Sequence, residues 1–398
     1  MALLPPGGRG IPPLYVLMIV APASQIGTTL YLASLPAIAS DLHVSLGVIQ
    51  LTITVYTMAF AASQLVLGAV ADRYGRRRVL LAGLALYTLC SVLCAVAPSI
   101  QWLMPARIAQ AIGACAGLVV VRAVIRDSRT GANAVKAMAL LSMALSAGPA
   151  FAPLLGSQVE LLLGWRANFA LIAAISLVSL VLSYLTVGET FRADPLARGP
   201  FRGYLLVLRS GRFMAFAISS GLIAGAFYMF LTGSPAVYLR VLHMPVALFG
   251  FIPMFWGIAS MIGSWVATRL GNRFDGEAIG LAGMLVSAAS FLAMVGFTLA
   301  GVGNLATLTI PLFIAGLGTG ISLPNAANQA MFSIPAGIAG AGSAMIGFMQ
   351  MAWATLGSLA MASVTHESPL PMAAGMAGAA SLAVACYVFG MKRRTIVT

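Results

Sequence analysis

Long stretches without an ionised residue limit this chain more than any other feature. Residues 278 to 366 contain no Asp, Glu, Lys or Arg, and shorter stretches of the same kind recur along the sequence. Only 8% of the 398 residues are charged and the mean hydropathy is +0.99. A soluble enzyme, a disordered chain and a small disulfide-stapled domain are excluded, because none could keep so much apolar surface from water. The chain is a polytopic membrane protein.

Twelve membrane-spanning helices are predicted, since about 20 apolar residues cross a bilayer. The interval 278–366 must hold three of them, with turns near residues 301–304 and 333–337, and Arg107 to Val121 holds one that tolerates a cation. The other eight lie at 10–40, 42–71, 79–106, 137–159, 167–188, 213–239, 241–268 and 368–391. The predicted fold class is all-α, and the even number of helices places both termini on one side.

The basic residues collect on one face of this arrangement. That face carries 19 of the 22 Lys and Arg residues, and Lys and Arg accumulate in cytoplasmic loops, so we expect both termini in the cytoplasm. The exceptions are Arg166 and Arg240 on the opposite face and Arg107 within a span. The net charge of +13 is thus a topology signal, and no nucleic-acid partner is expected.

The sequence offers no pattern typical of catalysis. The cysteines Cys90, Cys94, Cys115 and Cys386 lie in apolar stretches without metal-ligand spacing, and neither a nucleophile motif nor paired membrane carboxylates occur. We therefore expect no enzymatic activity, no metal site and no cofactor.

The chain divides into two predicted halves. Residues 1–187 form the first helical bundle, 188–212 a cytoplasmic linker rich in arginine and proline, and 213–398 the second bundle. Aligning Gly75 with Gly271 superimposes Arg73 on Arg269 and Arg77 on Arg273, although Thr268 replaces Asp72. Such internal duplication is typical of secondary transporters.

The loop after the second span carries a distinctive motif. Its members are Gly68, Asp72, Arg73, Gly75, Arg76 and Arg77. A plain topology signal would require neither glycines seven residues apart nor an acid among cations. Asp72 could accept hydrogen bonds from a helix N-terminus or pair with arginine, which predicts a conformational latch.

The pattern resembles the signature of the major facilitator superfamily, and the resemblance covers the whole chain in span number, linker and half-repeat. It implies two pseudo-symmetric six-helix bundles that rock about a central cavity.

Two further segments resemble the drug-exporting branch of that superfamily, especially the bicyclomycin and chloramphenicol resistance type. In the fourth span, Arg107 and Gln110 match Arg-x-x-Gln-Gly-x-Gly with Ala111 in place of a glycine. An arginine within a span needs an acidic, carbonyl or water partner, so we interpret it as functional. The alternative is snorkelling to the outer interface near Trp102.

The fifth span resembles the antiporter motif of the exporters at Gly148, Pro153 and Gly156, with Ala152 and Ser157 replacing two glycines. The resemblance implies export. The alternative is ordinary packing of small residues.

One position departs from the branch pattern. The resemblance implies an acid as proton carrier in the first span, and this chain has Thr29 there. No carboxylate is predicted at mid-membrane depth, and the histidines His43, His243 and His366 are predicted on the outer side. Protons as the coupling ion therefore stay an open question, and we expect weak or absent proton coupling.

Aromatic and amide residues are candidates for lining the cavity. They are Tyr31, Tyr56, Phe227, Tyr228, Asn325, Gln350 and Trp353. These residues favour an amphipathic or apolar small molecule as substrate.

The sequence thus predicts a monomeric secondary active multidrug exporter of a bacterial inner membrane, in contact with the lipid bilayer. The rival functions are a facilitator or importer of a neutral metabolite, favoured by the missing acid, and a non-transporting membrane sensor or scaffold.

Overall fold

The computed structural model describes residues 12–129, 131–190, 200–271, 273–335, 338–364 and 368–393, and every regular element in these ranges is a helix. The helices of the first half are α1 (Leu14–Thr29), α2 (Leu35–Asp41), α3 (Leu46–Tyr74), α4 (Arg76–Ala95), α5 (Ile100–Ser128), α6 (Gly131–Leu163) and α7 (Trp165–Thr186). The linker contains α8 (Pro200–Arg209). The helices of the second half are α9 (Gly211–Ser234), α10 (Val246–Phe249), α11 (Phe251–Leu270), α12 (Gly276–Leu299), α13 (Leu305–Phe332), α14 (Ala339–Ala362) and α15 (Leu370–Lys392).

Eleven helical segments among the described residues are long and apolar enough to cross a membrane. Three of these eleven segments combine two helices each. They are α1 with α2, α9 with the π-helix Pro235–Val241, and α10 with α11. The twelfth crossing is α6, whose 33 residues include the apolar stretch Phe151–Leu163. The predicted all-α membrane fold is confirmed.

The first crossing is broken near its middle. Helix α1 ends at Thr29, and a short 3-10 turn, Leu32–Ser34, joins it to α2, which has a proline in its first turn. The chain leaves the α-helical path between Thr29 and Leu35, and Pro36 lacks the N–H that would bond to the Leu32 carbonyl. The break therefore leaves carbonyl groups of α1 that other residues must satisfy, because lipid offers them no water.

Small residues let the helices approach closely. On α13, a Cβ added to Gly320 would overlap the carbonyl oxygen of Ser260 on α11. Two serines of α11 use this proximity: Ser260 Oγ donates to the Gly316 carbonyl at 3.1 Å, and Ser264 Oγ donates to the Gly320 carbonyl at 2.9 Å. Close packing and such bonds hold helices together where lipid removes the hydrophobic driving force.

Among the described residues, the halves meet chiefly where α3 and α6 pack against helices of the second half. Helix α3 packs against α14, where Thr54 and Ser358 are hydrogen-bonded at 3.0 Å and Thr57 and Thr355 at 3.0 Å. Helix α6 meets α10 and α11. We call the end of the bundle formed by the α3–α4 turn, residues 187–190, α8 and the α11–α12 turn the basic end, and the other the opposite end.

The glycine packing makes a testable prediction. Gly320→Leu should lower the free energy of unfolding by about 1–3 kcal/mol, because the side chain must push α11 away. Gly296→Leu on α12 is the matched control, since a Cβ there meets nothing within 4 Å. Thermal unfolding of the purified variants in detergent measures both, and equal stability of the two would contradict the packing analysis.

Candidate functional site

The motif of the α3–α4 turn is organised by Arg76. Its side chain is buried and pairs with Asp72 at 2.6 Å, at the end of α3, and with Asp127 at 3.0 Å, near the end of α5. Gly75 makes the turn with φ of 95°, a conformation that glycine adopts without steric cost. One guanidinium thus joins two helix ends at the start of a third.

Glu189 completes this cluster from the linker. Its carboxylate accepts hydrogen bonds from the backbone N–H groups of Arg76 at 2.8 Å and Arg77 at 3.2 Å, which are the first residues of α4. A carboxylate is stabilised at a helix N-terminus by the free N–H groups and the helix dipole. A Cβ on Gly75 would lie 2.5 Å from a Glu189 oxygen, so the glycine also makes room for the acid.

The other motif residues lie around this cluster. The Arg77 side chain donates to the carbonyls of Val187 at 2.8 Å and Tyr184 at 2.9 Å. Arg73 is exposed and its guanidinium lies 5.5 Å from the Tyr74 ring centre. A Cβ on Gly68 would meet nothing within 4 Å. In the second half, Gly271 has φ of −58°, so the repeated loop does not reproduce the turn of Gly75.

Arg107 is fully buried, with no exposed side-chain surface. Its Nη1 donates to the carbonyl of Gly27 at 2.8 Å and to Gln110 Oε1 at 2.5 Å, and its Nη2 donates to the Tyr31 hydroxyl at 3.1 Å. Gln110 in turn donates to Ser91 Oγ at 2.8 Å. The Arg107 side chain therefore does not extend to the membrane surface.

Aromatic rings and the broken helix surround the guanidinium. Its carbon lies 4.4 Å from the ring centre of Tyr31, 4.3 Å from Tyr56 and 5.7 Å from Phe169. Gly27 belongs to the last turn of α1, where unpaired carbonyls carry the negative end of the helix dipole. The break in α1 thus supplies the carbonyl partner that an intramembrane arginine requires.

The α6 motif lies against two neighbouring elements, the first crossing and the start of α11. A Cβ on Gly156 would overlap the carbonyl oxygen of Leu30 at the break, and one on Gly148 would lie 3.8 Å from the Pro22 carbonyl oxygen. On another side, a Cβ added to Gly250, just before α11, would lie 2.7 Å from the carbonyl oxygen of Pro153. The small residues of the motif therefore let α6 pack closely against both the break in α1 and the second half.

A narrow central gap separates the halves. Its volume is about 10 Å³, and its lining residues are Ser24, Gln25, Thr28, Tyr56, Phe60, Tyr228 and Met351. About 10–15 Å³ accommodates a single water molecule, whereas ligand pockets measure roughly 300–1,000 Å³. The structure is thus a closed form in which a drug-sized molecule has no room at the centre.

The aromatic and amide candidates are dispersed. Tyr56 and Tyr228 line the gap, and Tyr31 lies behind it on Arg107. Phe227 contacts Trp256 with ring centres 5.1 Å apart. The remaining three pack elsewhere: Gln350 donates to Ser220 at 3.3 Å, Asn325 packs near Gly280 on α12, and Trp353 lines an apolar groove of about 220 Å³ between α9, α14 and α15.

Two carboxylates lie towards the opposite end. Asp41 accepts hydrogen bonds from Arg166 at 2.7 Å and Trp165 at 3.1 Å. Glu160 on α6 is half-buried and accepts a hydrogen bond from Ser34, close to the break in α1. Glu160 could not be singled out from the sequence, because its partner Ser34 lies 126 residues away in the chain. Of the histidines, His43 and His243 have φ of 52° and 50° in turns at this end, and His366 lies outside the described residues.

Comparison with known proteins agrees with this architecture. Residues 17–358 match the family model of the Major Facilitator Superfamily. The chain belongs to the major facilitator superfamily. It is 30% identical to the MFS-type transporter YdgK of Bacillus subtilis (strain 168) over 327 residues, which cover 80% of this chain and 81% of that protein. It is also 30% identical to Multidrug resistance protein MdtL of Escherichia coli over 228 residues, 57% of this chain and 58% of MdtL.

Solved structures share the fold. A bacterial homologue of the human lysosomal transporter Spinster, in an inward-facing and occupied conformation, superimposes with a TM-score of 0.75 at 15% identity, covering 95% of this chain and 96% of that one. A POT family transporter in complex with 5-aminolevulinic acid gives 0.74 at 13% identity, covering 94% of both chains. This superfamily member is a transporter rather than an enzyme.

The Arg76 cluster makes the second prediction. Arg76→Gln should remove the cation that Asp72 and Asp127 share, leaving Asp127 only its more distant pairing with Arg126 at 3.7 Å, and it should lower both the unfolding temperature and the transport rate. Arg78→Gln is the control, since Arg78 is exposed in the same turn. Thermal unfolding and flux in proteoliposomes measure the two effects, and matching values for both variants would rule out a role for the cluster.

Proposed function

We propose that this transporter exports amphipathic small molecules by alternating access, with its two halves rocking about the central gap. The observation that carries the proposal is the gap itself, a polar and aromatic lining contributed by α1, α3, α9 and α14 from both halves. Binding at the interface of two repeats is the usual design of secondary transporters. The partial likeness to Multidrug resistance protein MdtL, whose name refers to resistance to drugs, supports drug-like compounds as substrates.

The same proposal assigns orientation and location. The basic end faces the cytoplasm, because its arginine-rich turns follow the rule that positive charge stays inside. Both termini are then cytoplasmic, and the membrane is the bacterial inner membrane. The α6 motif supports the antiporter interpretation, because its small residues fit α6 tightly between the break in α1 and the second half.

The closed gap requires that the halves separate. Near the opposite end, Gln158 Nε2 of α6 donates to the Ala247 carbonyl of α10 at 2.8 Å, so the two halves touch there. An exporter must open this end to release its substrate. The contact should therefore break once in each cycle.

A cross-link tests this motion. The double variant Gln158→Cys and Ala247→Cys, made in a background without the native cysteines, should lose transport on oxidation and regain it on reduction. Each single-cysteine variant is a control that oxidation should not affect. Unchanged flux through a protein that is fully cross-linked would contradict opening at this end.

Proton coupling is proposed to be weak, because Thr29 is buried at the end of α1 and cannot ionise near neutral pH. Thr29→Asp should introduce or strengthen the dependence of flux on a pH gradient, at a cost in stability from burying a carboxylate. Thr29→Asn controls for size and polarity. Strong uphill transport by the unmodified protein under a pH gradient would defeat this prediction and direct attention to Glu160.

An importer or facilitator of a neutral metabolite is the second candidate, favoured by the same Thr29. Vesicles of known orientation distinguish the candidates, because export and import move substrate in opposite directions. A sensor or scaffold would move none.

A further inference from the structure

The guanidinium of Arg107 has an edge that the protein uses only in part. Nε is buried and makes no hydrogen bond within the described residues, and Nη2, which carries two N–H groups, bonds only through one to the Tyr31 hydroxyl. Nε and Nη2 together form the side of the guanidinium that binds a carboxylate with two parallel hydrogen bonds. This fork is therefore preformed and incompletely used.

The carboxylates described in the structure are committed elsewhere. Asp41 pairs with Arg166, Asp72 and Asp127 pair with Arg76, and Glu277 pairs with Arg212. Glu160 accepts from Ser34, Glu189 caps α4, and Asp275 is exposed before α12. The two other acids of the chain, Asp194 and Glu367, lie outside the described residues.

The charge of Arg107 is therefore compensated only in part. The end of α1 contributes roughly half an elementary charge, and each close aromatic ring contributes about 0.5–2 kcal/mol. A buried cation without an anionic partner costs more than such contacts return, since arginine stays protonated in proteins. A site of this kind attracts an anion from outside the protein.

Tyr56 places the fork next to the transport route. Its ring lies 4.3 Å from the guanidinium carbon, and the same residue lines the central gap. The Tyr56 hydroxyl is only weakly held, donating to the Ser24 carbonyl at 3.5 Å, the limit of hydrogen-bond length. A rotation of this one side chain would connect the gap with Arg107.

We propose that Arg107 binds the carboxylate of the transported compound through Nε and Nη2, so that the substrates are amphipathic organic acids. Tyr56 moves aside to admit the carboxylate, while the apolar part of the substrate occupies the opened gap. This inference rests on the proposed transport function and narrows its substrate class. Ser24, Gln25 and Thr28 supply neutral hydrogen-bonding groups and no competing charge on the α1 side of the gap.

Three compounds of similar shape test the charge requirement: 1-naphthylacetic acid, its primary amide and 2-(1-naphthyl)ethylamine. In thermal unfolding of the full-length purified protein, the acid should bind at least tenfold more tightly than the amide or the amine. The measurement is made on the unmodified protein, so it does not depend on how a variant folds. Equal binding of acid and amide, or no binding of the acid, would overturn the proposal.

Substitutions of Arg107 test whether this residue causes the preference for the acid. Arg107→Gln should remove the preference for the acid and Arg107→Lys should restore it in part, because a lysine lacks the planar fork. Arg240→Gln, an exposed arginine of the second half, is the matched control and should keep the preference. A preference that persists in Arg107→Gln would place the anion elsewhere and refute the assignment.

Two further measurements, competition by chloride and flux in proteoliposomes, distinguish failure of this inference from failure of the proposed transport function. If chloride displaces the acid at equal concentration, the site holds a structural counter-ion and the substrate assignment is wrong. Flux of the same three compounds in proteoliposomes tests transport itself. Selective binding of the acid without flux would count against the proposed transport function, whereas flux of amide and amine without an advantage for the acid would count against this inference alone.

Discussion

The break in the first transmembrane crossing is the constraint on which the first half depends. A helix that ends inside a membrane exposes carbonyl groups that no solvent can satisfy. Arg107 supplies one donor, to the carbonyl of Gly27, and Gly156 lets α6 pack closely against the carbonyl of Leu30. The arginine and the antiporter-like glycine, which lie far apart in sequence, thus meet at the same break. Replacing the arginine would leave the Gly27 carbonyl without this donor, and a larger residue in place of Gly156 would clash with the Leu30 carbonyl.

The cluster at the basic end joins helices of the first half to one another and to the start of the linker. Arg76 joins the ends of α3 and α5, and Glu189 ties the start of the linker to α4, so these contacts lie within the first half and its exit. Such a cluster stiffens the first half and attaches the start of the linker to it.

Hydropathy predicted the membrane-spanning helices well, because lipid imposes that pattern directly on the sequence, whereas the functional role of Arg107 stays a prediction. The partners of these residues were harder to predict. Glu189 lies 113 residues from Arg76, and only the folded chain shows that it caps α4. The aromatic candidates were dispersed because helices surrounded by lipid and protein are apolar on every side, so sequence periodicity does not indicate which face meets the gap.

The missing acid and the unused arginine fork have one physical explanation. Thr29 lies two residues from both Gly27 and Tyr31, the two residues of the first crossing whose oxygens accept hydrogen bonds from Arg107. Threonine places an uncharged side chain at this position, and its hydroxyl has no hydrogen-bond partner within the described residues. An uncharged residue here provides no ionisable group for proton binding. For the substrate class proposed above, it also adds no acid to this stretch of the first crossing that could compete with the substrate carboxylate for Arg107.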